Sequence, residues 1–268
     1  MHVDTQGAAP LVSVIMPAYN AESFIAEAIA SVLSQSVGDL ELIVINDCSA
    51  DGTQKIVEGL AKEDARIKPV VNEENMGVAR SRNRGLELCR GKYIALLDSD
   101  DYWKPQLLEK MIARAEETKA DIIYCSYEMV DEQDRKICSD FLVPPETSFE
   151  ACIVRSVITC STVLLTAQRM KNTRFPTNIY HEDTALWFQL LRDGYVARGV
   201  PEVLAAYRQR AHSRSSHKLI SAIRRWPIYR KHLKMPFMQS AGAMIRYAYY
   251  GLMKYKRVQK PGGERENV

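Results

Sequence analysis

Three carboxylates, Asp98, Asp100 and Asp101, stand within one tetrapeptide and share it with Ser99. Charges this close repel one another, and the arrangement is costly unless a cation or hydrogen-bond donors offset it. Oxygen ligands of this kind suit Mn²⁺ or Mg²⁺, hard ions that also bridge the oxygens of a diphosphate. An acidic turn or a helix cap is the plainer use of the same residues. Asp47 lies in Val44-Ile45-Asn46-Asp47-Cys48-Ser49-Ala50-Asp51-Gly52-Thr53. Its carboxylate could accept a hydrogen bond from a base edge such as uracil N3–H, or serve as a turn residue capping the next helix. Asn75, Gly77, Arg80, Arg82 and Asn83 surround the start of a helical stretch. A helix N-terminus flanked by arginines favours phosphate, although ordinary surface arginines would have the same spacing.

Further along, His181-Glu182-Asp183 precedes an amphipathic stretch. In a transfer to a hydroxyl group, a carboxylate placed there would take the proton as the oxygen attacks. Cationic groups or a metal would offset the charge on the leaving group. First-turn acidic residues are also favoured simply by the helix dipole. The segment Tyr207-Arg208-Gln209-Arg210-Ala211-His212-Ser213-Arg214-Ser215 is basic and rich in hydroxyls. It suits a loop that folds over a diphosphate, with an exposed basic linker as the alternative.

The elements that must position these groups are legible from periodicity. Leu11–Met16, Leu40–Ile45, Ile67–Val71 and Tyr93–Leu97 are apolar, β-branched runs of strand length. Between them Ala21–Leu33, Gly52–Leu60 and Val78–Cys89 carry helical spacing. This alternation predicts an α/β fold, a Rossmann-like and mostly parallel sheet flanked by helices. Ligands of such sheets bind beyond the carboxyl ends of the strands, where Pro17 to Asn20, Asn46 to Ser49, Asn72 to Gly77 and Asp98 to Asp101 fall. Beyond Asp101 the pattern predicts helices at Pro105–Thr118, Ser148–Val154 and Asp183–Arg192, and strands at Asp121–Met129, Ser161–Leu165 and Val203–Tyr207. Two helical stretches, Lys218–Lys234 and Phe237–Val258, are split by Pro236 and form a C-terminal helical extension.

Five segments, in order, resemble those of family 2 glycosyltransferases, GT-A-fold enzymes of bacterial polysaccharide synthesis. They are Val12-Ser-Val-Ile-Met-Pro-Ala-Tyr-Asn20, Val44 to Thr53, Asn75 to Asn83, Gly91 to Asp101 and His181-Glu-Asp-Thr-Ala-Leu-Trp187. The resemblance runs from Leu11 to Ser215. It implies a GT-A domain over residues 1–215, with a nucleotide-binding half at about 11–102 and an acceptor half at about 103–215, followed by a basic amphipathic tail at 216–268. It further implies an inverting transfer from a nucleotide-diphosphate sugar, with UDP the expected nucleotide. Pro17, Tyr19 and Glu22 would line the nucleoside pocket and Asp47 would read the base. Asn75, Gly77, Arg82, Asp98 and Ser99 would complete the nucleotide site, and Asp100 would ligate Mn²⁺ or Mg²⁺. Asp183 would be the general base, with Glu182 beside it orienting or binding the acceptor. Many relatives carry a His after the Tyr-Arg pair where this chain has Arg210, so Arg210, with Arg208, would supply fixed positive charge to the diphosphate. A nucleotidyltransferase fits less well, because Pro17-Ala18-Tyr19-Asn20 is not a Gly-rich phosphate loop. A non-catalytic scaffold on the same fold would have no use for Asp100 and Asp183.

Charge is distributed unevenly. Between Val203 and Gly263 there are 14 Lys and Arg residues and no Asp or Glu, which leaves 22 basic against 33 acidic residues elsewhere. Trp226, Tyr229, Phe237, Tyr247, Tyr249, Tyr250 and Tyr255 punctuate this basic stretch. Basic helices with aromatic faces suit an anionic membrane surface, and core-packing helices with a solvated face are the alternative. No nucleic-acid motif accompanies the charge. No apolar run reaches the roughly 18 residues of a membrane span. The six cysteines form no CxxC pair, and thiols so scattered suit a reducing compartment. The expectation is therefore a cytoplasmic enzyme, peripheral on the inner face of the membrane, acting on a glycan or lipid-linked acceptor.

Overall fold

The computed structural model describes residues 9–210 and 223–258, with side chains to residue 250. Its first half follows the apolar periodicity closely. Strands β1 (Val12–Ala18), β2 (Leu40–Asn46), β3 (Ile67–Val71) and β4 (Tyr93–Leu96) alternate with helices α1 (Ile25–Leu33), α2 (Thr53–Glu63) and α3 (Val78–Leu88). These strands pair in parallel in the order β3-β2-β1-β4. Every residue of β1 and β2 is buried, as expected of parallel strands covered on both faces. Their side chains divide by alternation: Val12, Val14 and Met16 join one core with α1 and α2, while Ile15 faces a second core. Gly85 of α3 lies against Ile15 and Ile45 so closely that a Cβ there would collide with Ile15. The helix can sit on the sheet only because that position has no side chain.

The second half departs from a parallel design. It comprises β5 (Tyr102–Trp103), α4 (Leu107–Thr118), β6 (Ile122–Val130), β7 (Glu146–Thr147), α5 (Phe149–Arg155), β8 (Val163–Thr166), α6 (Ala167–Met170), α7 (Glu182–Arg192) and β9 (Ala197–Arg208). β8 inserts antiparallel between β4 and β6, and β9 runs parallel to β6 but antiparallel to β5 and β7. The sheet is therefore mixed: β1 to β4 are parallel to one another, and every antiparallel pairing involves a strand of the second half. β9 is 12 residues long, more than twice the stretch that periodicity marks. Pairing with three other strands along its length supplies hydrogen bonds that local pattern does not foretell.

After Arg210 the described chain resumes at residue 223, so the expected boundary at 215/216 lies outside the described residues. Ile228–His232 forms a π-helical turn, and α8 (Phe237–Val258) starts at the residue after Pro236. This segment is not a free tail. Ile228 and Tyr229 are fully buried in the second core, and burying side chains of that size contributes about 1.5–3 kcal/mol each. Tyr229 also donates its hydroxyl proton to the Ile153 carbonyl. Among the described residues, no helix is long and apolar enough to cross a membrane.

Candidate active site

Strand order reverses between β1 and β4: the chain winds outward through β2 and β3, then returns to the other side of β1. The crevice outside such a switch point is where open α/β sheets bind ligands. One wall is built by the loops after β1 and β2. Asn20 and Cys48 both take left-handed backbone conformations, with φ of 47° and 61°. Cross-loop hydrogen bonds hold them there. Asn20 Oδ1 accepts from Ala50 N–H, the Ser49 hydroxyl accepts from Asn20 N–H, and Glu22 Oε2 accepts from Gly52 N–H at 2.6 Å. Asp51 in turn accepts from the Glu22 N–H. Tyr19 stands on the rim with half its surface exposed, whereas Pro17 is buried in β1 opposite Ile45.

Asp47 sits at the end of β2, almost fully buried. It accepts hydrogen bonds from Asn72 Nδ2 at 2.7 Å, Met76 N–H at 2.9 Å and Gly77 N–H at 2.8 Å. The carboxylate thus pins the loop that leads into α3. Gly77 completes that entry with φ of 83°, a conformation a side chain would strain. Asn75 is exposed at the loop tip. A base edge could engage Asp47 only through lone pairs left over from these bonds.

Arg82 gives the site its electrostatic centre. It projects from α3, is 4% exposed, and donates from one nitrogen to Glu182 Oε1 at 2.8 Å and from another to Asp98 Oδ1 at 2.5 Å. Burial alone would disfavour its charge, but the carboxylates of Asp98, Glu182 and Asp183 outweigh that and hold it firmly protonated. Its ring neighbour is Phe175, 5.5 Å from the guanidinium carbon. Expected as a nucleotide ligand, Arg82 instead spans from the acidic loop to the start of α7, with two nitrogens committed to carboxylates.

The acidic loop divides its labour. Asp98 is about one-third exposed and faces Arg82. Asp100 is held above the usual carboxylate range by burial and by the Asp98 charge, with partial relief from Arg210, whose guanidinium lies 3.7 Å away. Asp101 is buried, and both its oxygens are used, one accepting from Arg208 N–H and the other from the Ser161 hydroxyl. Burial and the charges of Asp100 and Asp98 push its pKa well up. Asp101 therefore fastens the loop, leaving Asp98 and Asp100 as the pair open to a cation. Among the described residues no cluster of three His, Cys, Asp or Glu side chains forms a metal site. The fit of Asp98 and Asp100 to a divalent ion rests on their mutual repulsion, which a cation would relieve. Ser99, nearly buried, lies between them.

Arg208 differs from expectation. Its side chain is 1% exposed, ion-paired with Glu27 and Asp134, and donating to the Asp100 carbonyl at 2.8 Å. Phe24 and Tyr102 stack on it. Such a guanidinium braces the acidic loop from behind, with both terminal nitrogens committed. Arg210, partly exposed and facing Asp100, is better placed for a leaving group. His212 lies outside the described residues. Across the crevice, Glu182 and Asp183 open α7. Glu182 is buried against Arg82, while Asp183 is half-exposed and makes no hydrogen bond or ion pair among the described residues. Ser161 went unnoticed in the sequence although its hydroxyl and the Asp98 N–H share a 3.2 Å contact and it also holds Asp101. Its only signal is a run of hydroxyl residues ahead of β8.

Known proteins share the architecture that carries these residues. Residues 13–143 match the model of glycosyl transferase family 2. The chain is 37% identical over 246 residues to the putative teichuronic acid biosynthesis glycosyltransferase TuaG of Bacillus subtilis (strain 168), covering 91% of this chain and 97% of that one. It is 36% identical to the Escherichia coli UDP-Glc:alpha-D-GlcNAc-diphosphoundecaprenol beta-1,3-glucosyltransferase WfaP, over 91% of this chain and 95% of its relative. Among solved structures, S. aureus TarS 1-349 in complex with UDP-GlcNAc superposes with a TM-score of 0.67 at 20% identity, covering 88% of this chain and 71% of that one. The mannosyltransferase PcManGT from Pyrobaculum calidifontis, in complex with GDP-Man and Mn2+, gives 0.65 at 18% identity, covering 94% and 77%. The structural likenesses establish the GT-A-type fold. With near full-length sequence relatives at more than one-third identity, they make the conclusion plain: the chain is a glycosyltransferase of glycosyl transferase family 2.

Proposed function

We propose that this enzyme moves a sugar, with inversion, from a UDP-sugar to a hydroxyl of a lipid-linked glycan in surface polysaccharide synthesis. The observation that carries the reading is the Asp183 carboxylate at the mouth of α7, which makes no hydrogen bond or ion pair among the described residues and lies beside Arg82, which also grips Asp98 of the acidic loop. Base and donor-side carboxylates are thereby referred to one buried cation. Asp183 takes the proton of the acceptor hydroxyl as that oxygen attacks the anomeric carbon. The bond to the nucleoside diphosphate breaks in the same step and the leaving group keeps the electron pair. Mn²⁺ or Mg²⁺, held by Asp100 with Asp98, would supply Lewis-acid stabilisation of the diphosphate oxygens. Arg210 adds positive charge at the same edge, and Arg208 keeps the Asp100 backbone in place. Glu182 orients the start of α7 through Arg82.

The donor choice draws on the relatives named for UDP-Glc and bound to UDP-GlcNAc. The acceptor class draws on the diphosphoundecaprenol named for WfaP. A lipid-linked acceptor also calls for a place at an anionic membrane surface, which the basic stretch after Val203 supports. Calorimetric titration with UDP, with and without Mn²⁺, followed by transfer assays over a panel of UDP-sugars, tests the reading. Metal-dependent UDP binding that Asp100→Ala removes is the expected result. Binding of GDP in preference to UDP would overturn the donor assignment.

A further inference from the structure

α8 has two apolar faces to residue 250, and among the described residues one of them is packed. Ser240 and Ala243 turn inward, Tyr247 lies against the Arg225 guanidinium, and Tyr250 against that of Arg155. On the opposite side Met238 is 79% exposed, Ile245 71% and Tyr249 58%. Spacings of seven and four residues align these three on one stripe, with Gly242 between them. Phe237, also exposed, packs edge-on to Trp226 at the head of the helix. Large apolar side chains gathered on one exposed face mark a surface that meets something.

Charge indicates what that is. Lys231 and Lys234 shortly precede this helix and Arg246 adjoins Ile245; all three are exposed and make no ion pair among the described residues. No acidic residue occurs between Val203 and Gly263. A second copy brought face to face would set like charges against one another, whereas an anionic bilayer would offset them and accept the apolar stripe between its headgroups. Through Tyr247, against which Arg225 lies, the helix is also tied toward the start of α7. Arg225 reaches Ser156 and Tyr229, and Arg224 lies 3.7 Å over the ring of Tyr180, two residues before Glu182.

We infer that Met238, Ile245 and Tyr249, with Lys231, Lys234 and Arg246, form the face by which this enzyme sits on an anionic bilayer. The inference rests on the membrane placement proposed above but selects different residues for it. Tyr229, Tyr247 and Tyr250, which composition alone would give to lipid, belong to the interior contacts. Docking through this face leaves α8 lying in the interface plane, with the opening of α7 on the protein side.

Flotation of the full chain with vesicles tests it, using phosphatidylcholine alone and phosphatidylcholine with about 30% phosphatidylglycerol. Wild-type protein should float with the anionic vesicles and not with the neutral ones. The triple variant Met238→Gln, Ile245→Gln, Tyr249→Gln keeps helix-compatible side chains at exposed positions. It should partition at least about tenfold more weakly, with an unchanged thermal midpoint and unchanged transfer to a soluble acceptor. Arg246→Gln alone should weaken binding about fivefold, and it provides a second reading if the triple variant folds poorly. Wild-type-like flotation of these variants would overturn this face while leaving membrane placement intact. Failure of the wild-type chain to float on either vesicle would overturn both. A dimer in light scattering that the triple variant dissolves would assign the stripe to a second copy and overturn the inference.

Discussion

The two walls of the crevice are built on opposite plans. On the side of β1, β2 and β3, the polar side chains that line the strand ends are tied to one another and to backbone N–H groups. Asn20, Glu22, Asp47 and Asp51 all serve as acceptors across loops. On the side of α7 and the acidic loop, the tied groups lie behind the surface: Arg82, Asp101 and Arg208 are buried, with both carboxylate oxygens of Asp101 and the terminal nitrogens of both arginines held by carboxylates, a hydroxyl or backbone groups. The groups left facing the crevice there, Asp183, Asp100 and Arg210, have few partners or unfavourable ones. One wall is preorganised to hold a ligand of fixed shape. The other presents charges with few partners among the described residues, which is what the proposed transfer asks of a site that stabilises developing charge.

Breaking the second wall should cost most. Asp183→Asn keeps size and shape but cannot take a proton, so kcat should fall by about 10²–10⁴-fold. UDP binding measured by calorimetry should stay within about twofold of wild type, because Asp183 touches none of the tied donor-side groups. An Asn variant with ordinary turnover would remove the base from that wall. Breaking the first wall should act on stability as well as on binding. Asp47→Ala leaves the Met76 and Gly77 N–H groups and the Asn72 amide without their acceptor. Hydrogen bonds to a charged group contribute about 1.5–3 kcal/mol each, so chemical denaturation should show a loss of about 3 kcal/mol, together with weaker UDP binding. Stability equal to wild type would mean that the loop into α3 is held by something else.

The difference between the walls also explains what could be read from the sequence. Strands β1, β2 and β4 are legible because each is a local apolar run buried throughout, while β3, largely exposed at the sheet edge, shows as a short β-branched run and the helices as amphipathic periodicity. The candidate carboxylates were legible because they sit where such strands must end. The antiparallel insertion of β8 was not, since a four-residue strand carries no signal of its partner. Nor were the roles of Arg82, Asp101, Ser161 and Arg208. Each depends on contacts across more than ten residues of chain, such as Arg82 to Glu182 or Asp101 to Arg208, and local spacing is blind to those. The tail was half legible: its charge and helicity are local, but the burial of Tyr229 against Ile153 is not.

Arg208→Lys sharpens the contrast at a smaller scale. A lysine keeps the charge but cannot reach Glu27, Asp134 and the Asp100 carbonyl at once as a planar fork does. A loss of about 2 kcal/mol in denaturant unfolding is expected. The affinity for Mn²⁺ should fall with it, since Asp100 is then less well held. An unchanged Mn²⁺ titration would show that the brace serves the fold alone.

The smallest effect is expected at Asp101, and there its sign matters more than its size. Asp101→Asn retains an acceptor for the Arg208 N–H, and its amide can donate to Ser161, so the loop keeps its fastening. The wild-type carboxyl has a folded pKa raised above its unfolded value by burial and by Asp100 and Asp98. Its contribution to stability is therefore fully present below the unfolded pKa and lost as pH rises through the raised folded value. The Asn variant has no such loss. Without added metal, the thermal midpoint of Asp101→Asn relative to wild type should thus climb as pH rises above the ordinary carboxylate range. Added Mn²⁺ should narrow the gap at the upper end, because a cation at Asp98 and Asp100 offsets the repulsion that penalises the wild-type loop. A midpoint difference that shrinks as pH rises would mean the ionised form of Asp101 is favoured in the fold, and the tied carboxylate would then belong among the charges the protein stabilises by itself.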